Sequence, residues 1–481
     1  MKKEKKKIFV IVGAVVACLA VVYVGFGIFF QSHFCFGTTI DGIKAGGKSV
    51  EKVEQLITEE IDSYVLNLAE REDGSESISG ESIQIAPVFN GEVEELLNGQ
   101  NGFAWVVTLF KHDNLELAKV VTFDEDALDS QIDQLNCMQA SEQREPVDAT
   151  VSAYTADGYS LVPADYGTTI DKNTFKKAVE DSILVLADEL DLDEADCYVK
   201  PEIEDDNEKL LAVIDEMNSY VGTTITYDFD VAKEVLDGER ISEWLSVDDD
   251  LNLVVDEEGV LSFVKELASE YNTCYKPKEL KTSYGSTVTI SNGPYGWKIN
   301  NSEEVAQILD DLKAGKKVER EPVYAQTANS HGENDYGNSY VEINLTAQHL
   351  FLYKDGVLVT ESDFVSGNVA KGHATPGGAF MLTYKTLNAV LRGPDYETPV
   401  TYWMPFNGDI GMHDLTSRKA FGGDIYKTRG SHGCINLPYS AAKKIYETID
   451  KGYCVLVYNL PGTESDTVKQ KEATAVVNTI N

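Results

Sequence analysis

An uncharged apolar run from Ile8 to Phe30 follows Lys2, Lys3, Lys5, Lys6 and Lys7, with Glu4 as the one acidic residue ahead of it. A run of that length crosses a bilayer core of about 30 Å as a helix, so residues 1–30 read as a basic tail and a transmembrane anchor. The lysines predict a cytoplasmic N-terminus and place everything after Gln31 on the outer face of the cell membrane. A cleaved signal peptide is the rival, but its apolar core would be shorter and would end at small residues. Val15-Val16-Ala17-Cys18 has the look of a lipoprotein cleavage box; against it, Leu19 to Phe30 stays apolar where a lipoprotein would turn polar.

Beyond the anchor the pattern becomes helical and repeats itself. Tyr166-Gly167-Thr168-Thr169-Ile170-Asp171 precedes an amphipathic stretch through Phe175, Ala178 and Val179; Tyr295-Gly296-Trp297-Lys298-Ile299-Asn300 precedes Val305, Ile308 and Leu309. Phe36-Gly37-Thr38-Thr39-Ile40-Asp41 is a weaker third copy, ahead of Val50, Val53, Leu56 and Ile57. Each predicts a strand end, a glycine turn and a helix. Helices are also predicted over 207–219 and 260–271, and a hairpin over 147–162 around Asp157-Gly158. These segments predict tandem α+β modules over 31–200 and 201–325, followed by a polar linker at 326–338. From residue 339 the period shortens to two. Strands are predicted over 341–345, 350–353 and 357–359, the last two joined by Lys354-Asp355-Gly356, and over 379–384, 400–404 and 453–458. Ser440–Asp450 is the one predicted helix here, and a tail follows over 461–481.

Charge divides the chain along the same lines. The net charge is −39. Residues 1–30 carry five lysines and one glutamate, and residues 339–481 carry 13 Lys and Arg against 14 Asp and Glu, so −42 falls on residues 31–338. So acidic a region repels nucleic acid and excludes it as a partner; its bland explanation is a solvated surface. The seven cysteines include no CxxC pair, which argues against a disulfide scaffold or a zinc ribbon.

Ser431-His432-Gly433-Cys434-Ile435-Asn436 places a cysteine beside a histidine in a glycine turn. A free thiol is mostly protonated at neutral pH, so a nucleophilic cysteine needs a base or cation nearby. His413 lies at the end of a strand-like stretch from Tyr402 to Met412, and the loop between it and Ser431 is long enough to fold back onto Cys434. His373 reads as a loop histidine. Zinc held by His413, His432 and Cys434 is a competing reading; a papain-like protease is disfavoured, because there the cysteine precedes the histidine.

The order histidine, about seventeen residues, Ser-His-Gly-Cys, one residue, Asn resembles the catalytic-domain signature of the L,D-transpeptidases, also called YkuD-like. Thr375-Pro376-Gly377-Gly378-Ala379-Phe380 and Gly411-Met412-His413 resemble two further family segments, and the resemblance covers about residues 339–460. Ile435 stands where many members have Arg, and Asp414 where a small residue is common. The upstream repeats resemble the peptidoglycan-binding modules that often precede this domain. The resemblance implies a mainly β, sandwich-like domain without cofactor or metal. It implies Cys434 as nucleophile, His413 as general base, His432 lining the site, backbone amides around Gly433 and Cys434 as oxyanion donors, and Ser431, Asn436 and Asp414 in support. The implied reaction cross-links peptidoglycan stem peptides through a cysteine thioester and releases the donor's terminal D-alanine, with carbapenem-type inhibitors acylating the same thiol. An L,D-carboxypeptidase or a wall-tethering pseudoenzyme is the alternative.

Overall fold

The computed structural model describes residues 2–117, 121–332, 334–393 and 396–464; most of the expected tail over 461–481 lies outside them. Among the described residues one helix is long and apolar enough to cross a membrane, Glu4–Phe29 with mean hydropathy 2.8, inside a helix that runs Lys2–Phe29.

The chain divides into two compact units, Met1–Val151 with Leu161–Asn207, and Ser152–Ser160 with Glu208–Asn481. In the first, the strand Val65–Ala69 lies between Glu189–Asp191 and Ser75–Ser79. It buries Leu66 and Leu68 with Ile57, Phe175, Val179 and Ile183. Within each unit the repeated sequence motif has the same local consequence. Gly167 and Gly296 take positive φ of 58° and 137°, a region open mainly to glycine. The chain then reaches a helix N-terminus with Asp171 or Asn300 as its cap: Asp171 accepts from the Thr174 amide at 2.8 Å ahead of Lys172–Leu184, and Asn300 from the Glu303 amide ahead of Asn301–Lys313.

In the second unit, helices Glu208–Val221, Glu257–Tyr271 and Asn301–Lys313 share a core with the strand Thr224–Asp228. That strand pairs antiparallel with Lys233–Leu236 and parallel with Lys317–Arg320. The fully buried Glu304 is held by Arg320 at 2.7 Å and by the Tyr227 hydroxyl at 2.6 Å, so its charge is not left uncompensated.

The remainder of this unit carries two sheets. A five-stranded sheet orders Val357–Asp363, His349–Lys354, Tyr340–Asn344, Cys454–Tyr458 and Gly378–Met381; a four-stranded sheet orders Thr386–Gly393, Tyr396–Asn407, Ile410–Asp414 and Ile435–Leu437. Val341, Ile343, Val455 and Val457 from the first and Met404, Met412, Ile435 and Leu437 from the second meet in one core with the helix Tyr439–Thr448. The hairpin Lys278–Lys281 and Thr287–Ile290 also packs here, burying Leu280, Ile290 and Tyr295 against Cys454, Leu456 and Tyr458. Lys278 forms a buried ion pair with Asp335 at 2.5 Å, so the Asn, Gly and Ser-rich stretch before the sheets is anchored by Asp335 and the buried Tyr336.

Two expectations need correction. Tyr402 to Met412 is not one strand: the chain reverses after Asn407, with Gly408 at φ 55°, and splits into antiparallel partners. Ser440–Asp450 is not the lone helix of this region, since Ile425–Arg429 forms a short one in the loop before Ser431. The reversal falls on Asn407-Gly408, a hairpin dipeptide that the strand-like reading ran through, and a five-residue helix is below what periodicity resolves.

Candidate active site

The four-stranded sheet brings His413 and Cys434 to one place by register. Ile410–Asp414 and Ile435–Leu437 run parallel, pairing Met412 with Ile435 and His413 with Asn436. Cys434 immediately precedes that ladder, at the end of the turn from Ser431. His413, Arg418, Ser431, His432, Cys434 and Asn436 all line one pocket of about 180 Å³.

The turn is locked from two sides. Gly433 has φ 127°, so a side chain there would strain the backbone. Ser431 Oγ accepts from the Gly433 amide at 3.0 Å and donates to the Cys434 carbonyl at 2.6 Å. Thr375 Oγ1 donates to the Gly433 carbonyl at 2.6 Å and accepts from the Gly367 amide at 3.0 Å. The Gly433 amide is therefore engaged within the turn, and of the two expected oxyanion donors the Cys434 amide is the one without a partner among the described residues.

His413 is buried, and its Nδ1 lies 2.9 Å from the Asp414 carbonyl oxygen. A carbonyl only accepts, so Nδ1 carries the proton and the neutral ring keeps Nε2 as an acceptor. Asp414 orients this ring through its backbone; its carboxylate instead accepts from the amides of Thr401 at 2.8 Å and Tyr402 at 2.7 Å, tying down the neighbouring strand. Burial holds the His413 imidazole below its usual pKa. Burial likewise pushes the Cys434 thiol up, with the Gly411 amide acting the other way, and the thiol donates to the Asp409 carbonyl oxygen at 3.5 Å. Removing water from the pocket thus disfavours both charged forms, which works against the expected histidine-stabilised thiolate.

The remaining predicted residues are also at the pocket, though not all as polar hands toward a substrate. His432 stacks on Tyr396 with ring centroids 4.4 Å apart, and His373, read from the sequence as a loop histidine, lies 4.9 Å from His432. Asn436 is buried, its backbone exchanges hydrogen bonds with Val365, and its side-chain Oδ1 has no partner. Thr375 was visible only as part of a motif, and Arg418 and Tyr396 carried no sequence signal. Away from the pocket, Glu70, Glu76 and Cys137 form the one cluster among the described residues with metal-ligand proximity. The Glu76 carboxylate is already occupied by the Asn136 and Cys137 amides. All seven cysteines are free.

The family model described as L,D-transpeptidase catalytic domain, YkuD, matches residues 338–457, and one described as "Putative peptidoglycan binding domain" matches residues 206–320. Among solved structures, an Enterococcus faecium L,D-transpeptidase with a cysteine-to-serine mutation is 33% identical, over 51% of this chain and 99% of that one, with a TM-score of 0.43. The avibactam carbamoyl enzyme of Ldtfm is 33% identical over 52% and 98%, also at 0.43. The E. faecium catalytic domain acylated by ertapenem is 43% identical over 25% and 98%, at 0.24. Likeness to these proteins rests on sequence identity across nearly their whole length, not on superposition. No curated protein matches.

Proposed function

This chain belongs to the L,D-transpeptidase family and is an L,D-transpeptidase enzyme, and from that premise we propose that it cross-links stem peptides through a thioester on Cys434. The observation that carries the reading is the pairing of a neutral, Nδ1-protonated His413 with Cys434 in one pocket. Two neutral partners call for proton transfer during attack rather than a thiolate held in advance. His413 Nε2 takes the thiol proton as Sγ adds to the carbonyl of the third stem residue, and the Cys434 amide receives the developing oxyanion. Collapse breaks the amide, with His413 returning the proton to the departing D-alanine nitrogen. The acceptor amine then attacks the thioester, His413 removes its proton, and the thiol is restored. General acid–base help of this kind contributes about 10²–10⁴ in rate. Water in place of the amine gives the L,D-carboxypeptidase side reaction.

His432, stacked on Tyr396, forms a wall of the site; Ser431 and Gly433 shape the turn; Asn436 Oδ1 is free to accept an amide of the stem. The turn is braced by Thr375, so the thiol sits in a fixed position for acylation by carbapenems as well as by stems. Around this domain we place a membrane anchor at residues 1–30, with the N-terminus cytoplasmic and the site on the wall face. Two tandem modules over 31–200 and 201–325 hold the site away from the membrane. The charge of −42 over residues 31–338 repels polyanionic wall polymers beyond contact range, about 8 Å at physiological salt, so the modules act first as spacers and bind wall only through short-range contacts.

The test is to incubate the full chain with defined tetrapeptide-bearing muropeptides and identify the products by mass spectrometry. Cross-linked dimer with free D-alanine is expected. Tripeptide without dimer would replace the transferase reading with the carboxypeptidase, and no product at all would leave the tethering pseudoenzyme.

A further inference from the structure

Resting on the reading of Cys434 as nucleophile, we propose that Arg418 is the specificity-determining residue that binds the terminal carboxylate of the donor stem. Chemistry requires such a group. The carboxyl carbon of a terminal D-alanine is two bonds from the scissile nitrogen, so a pocket that seats the scissile carbonyl at Cys434 must take in the carboxylate as well. A carboxylate moved from water into so small a pocket is strongly disfavoured unless a cation meets it.

Arg418 is the one fixed cation among the described residues that line the pocket. It has no carboxylate within ion-pair distance among the described residues, while Arg71, Arg144, Arg240, Arg320 and Arg392 are all paired with one. Its Nη2 donates to the Arg429 carbonyl at 3.0 Å, which sets the plane of the guanidinium. Nε is buried with no acceptor among the described residues, and leaving a buried donor unmade is a standing cost that an arriving carboxylate can remove. Burial and the neighbouring Arg429 also hold the Arg418 guanidinium below its usual pKa, as expected of a cation lacking its counter-charge. The loop itself is basic: residues 415–430 carry Arg418, Lys419, Lys427 and Arg429 against Asp424 alone, in a chain whose net charge is −39. Ile435 cannot serve as this cation, so the loop supplies it from another direction.

The site thereby distinguishes a stem that ends after the cleaved residue from one that continues. A further residue would replace the carboxylate by a neutral amide and leave Arg418 unpaired. The experiment compares the full chain and its Arg418→Gln variant on two donors of one sequence, a tetrapeptide stem with a free C-terminus and its C-terminal carboxamide, reading kcat/KM for release of the terminal residue. The wild type is expected to prefer the free acid by about 10- to 100-fold, the usual worth of a hydrogen-bonded charge. Arg418→Gln should lose that preference by slowing the acid donor alone, and Arg418→Lys should restore part of it. The unfolding midpoints of both variants in urea should match that of the wild type and so report an intact fold. Equal slowing of both donors, or a preserved preference for the acid, overturns the assignment to the terminal carboxylate. Failure of the wild type to turn over either donor would overturn the transpeptidase reading itself, and this inference with it.

Discussion

Cys434 and Cys454 belong to the same compact unit, and burial pushes both thiols above their usual pKa, yet they occupy opposite kinds of environment. Cys454 begins a strand of the five-stranded sheet, enclosed by Tyr295, Tyr336 and Leu456, with the nearest charges already joined as Lys278 and Asp335. Cys434 stands at the end of a turn, partly exposed, in a pocket where Arg418 Nε and Asn436 Oδ1 have no partners among the described residues. The lesson is that a displaced thiol pKa does not mark a nucleophile. On the reading proposed above, the nucleophile is marked instead by polar groups left open around the sulfur and by a histidine in the same pocket.

The largest effect that sharpens this contrast is on turnover. Cys434→Ala should lower stem-peptide cleavage by on the order of 10⁴ or more with little change in melting temperature. Cys454→Ala should do the reverse: turnover within twofold and a stability loss of about 1 kcal/mol by urea melt. Comparable activity losses in both would erase the distinction. Next, His413→Ala should lower kcat by about 10²–10⁴. His432→Ala should cost less, because that ring forms a wall of the pocket; if it cost more, their roles would be exchanged.

On the opposite side, Lys278→Ala leaves Asp335 buried without its cation and should destabilise the chain by about 3–5 kcal/mol, measured by denaturant unfolding. Stem-peptide turnover measured well below the melting temperature should survive. A loss of turnover in a variant that is still folded would mean that the two regions are coupled.

The smallest expected effect is a displacement along the pH axis. With the Cys434 thiol raised and the His413 imidazole lowered, the neutral forms of both prevail between their two pKa values. The rate of Cys434 alkylation by iodoacetamide should therefore climb with pH and reach half its maximum above the ordinary thiol value of about 8.5. A plateau already reached by pH 7 would indicate a thiolate and imidazolium at rest, and the proton-transfer step proposed here would be wrong.

Much of the reactive turn was legible in the sequence because its parts are contiguous: Ser431, Gly433 and Cys434 lie within four residues, and the histidine at 413 stands out in a chain with seven histidines. The helix starts after Asp171 and Asn300 were legible for the same reason, being local cap chemistry. What escaped depends on long-range packing. Arg418 reads as one more loop cation until the segment from 415 to 430 folds over the pocket, and Thr375 reaches Gly433 across 58 residues. The orienting oxygen for His413 is a backbone carbonyl, which no residue type announces; the sequence offered Asp414 only as a supporting residue, with no contact to His413 assigned. The direction in which burial moves Cys434 and His413 was hidden too, since spacing carries no information on how much water a pocket holds.

The central claim is that Cys434 alone carries the acyl group. Intact-mass analysis of the full chain after incubation with a carbapenem measures it most directly, followed by peptide mapping of the adduct. One adduct per chain on the peptide containing Cys434, absent from Cys434→Ala and retained by Cys454→Ala, is the result the account predicts. An adduct that persists in Cys434→Ala, or one that maps to another residue of the wild type, would contradict it.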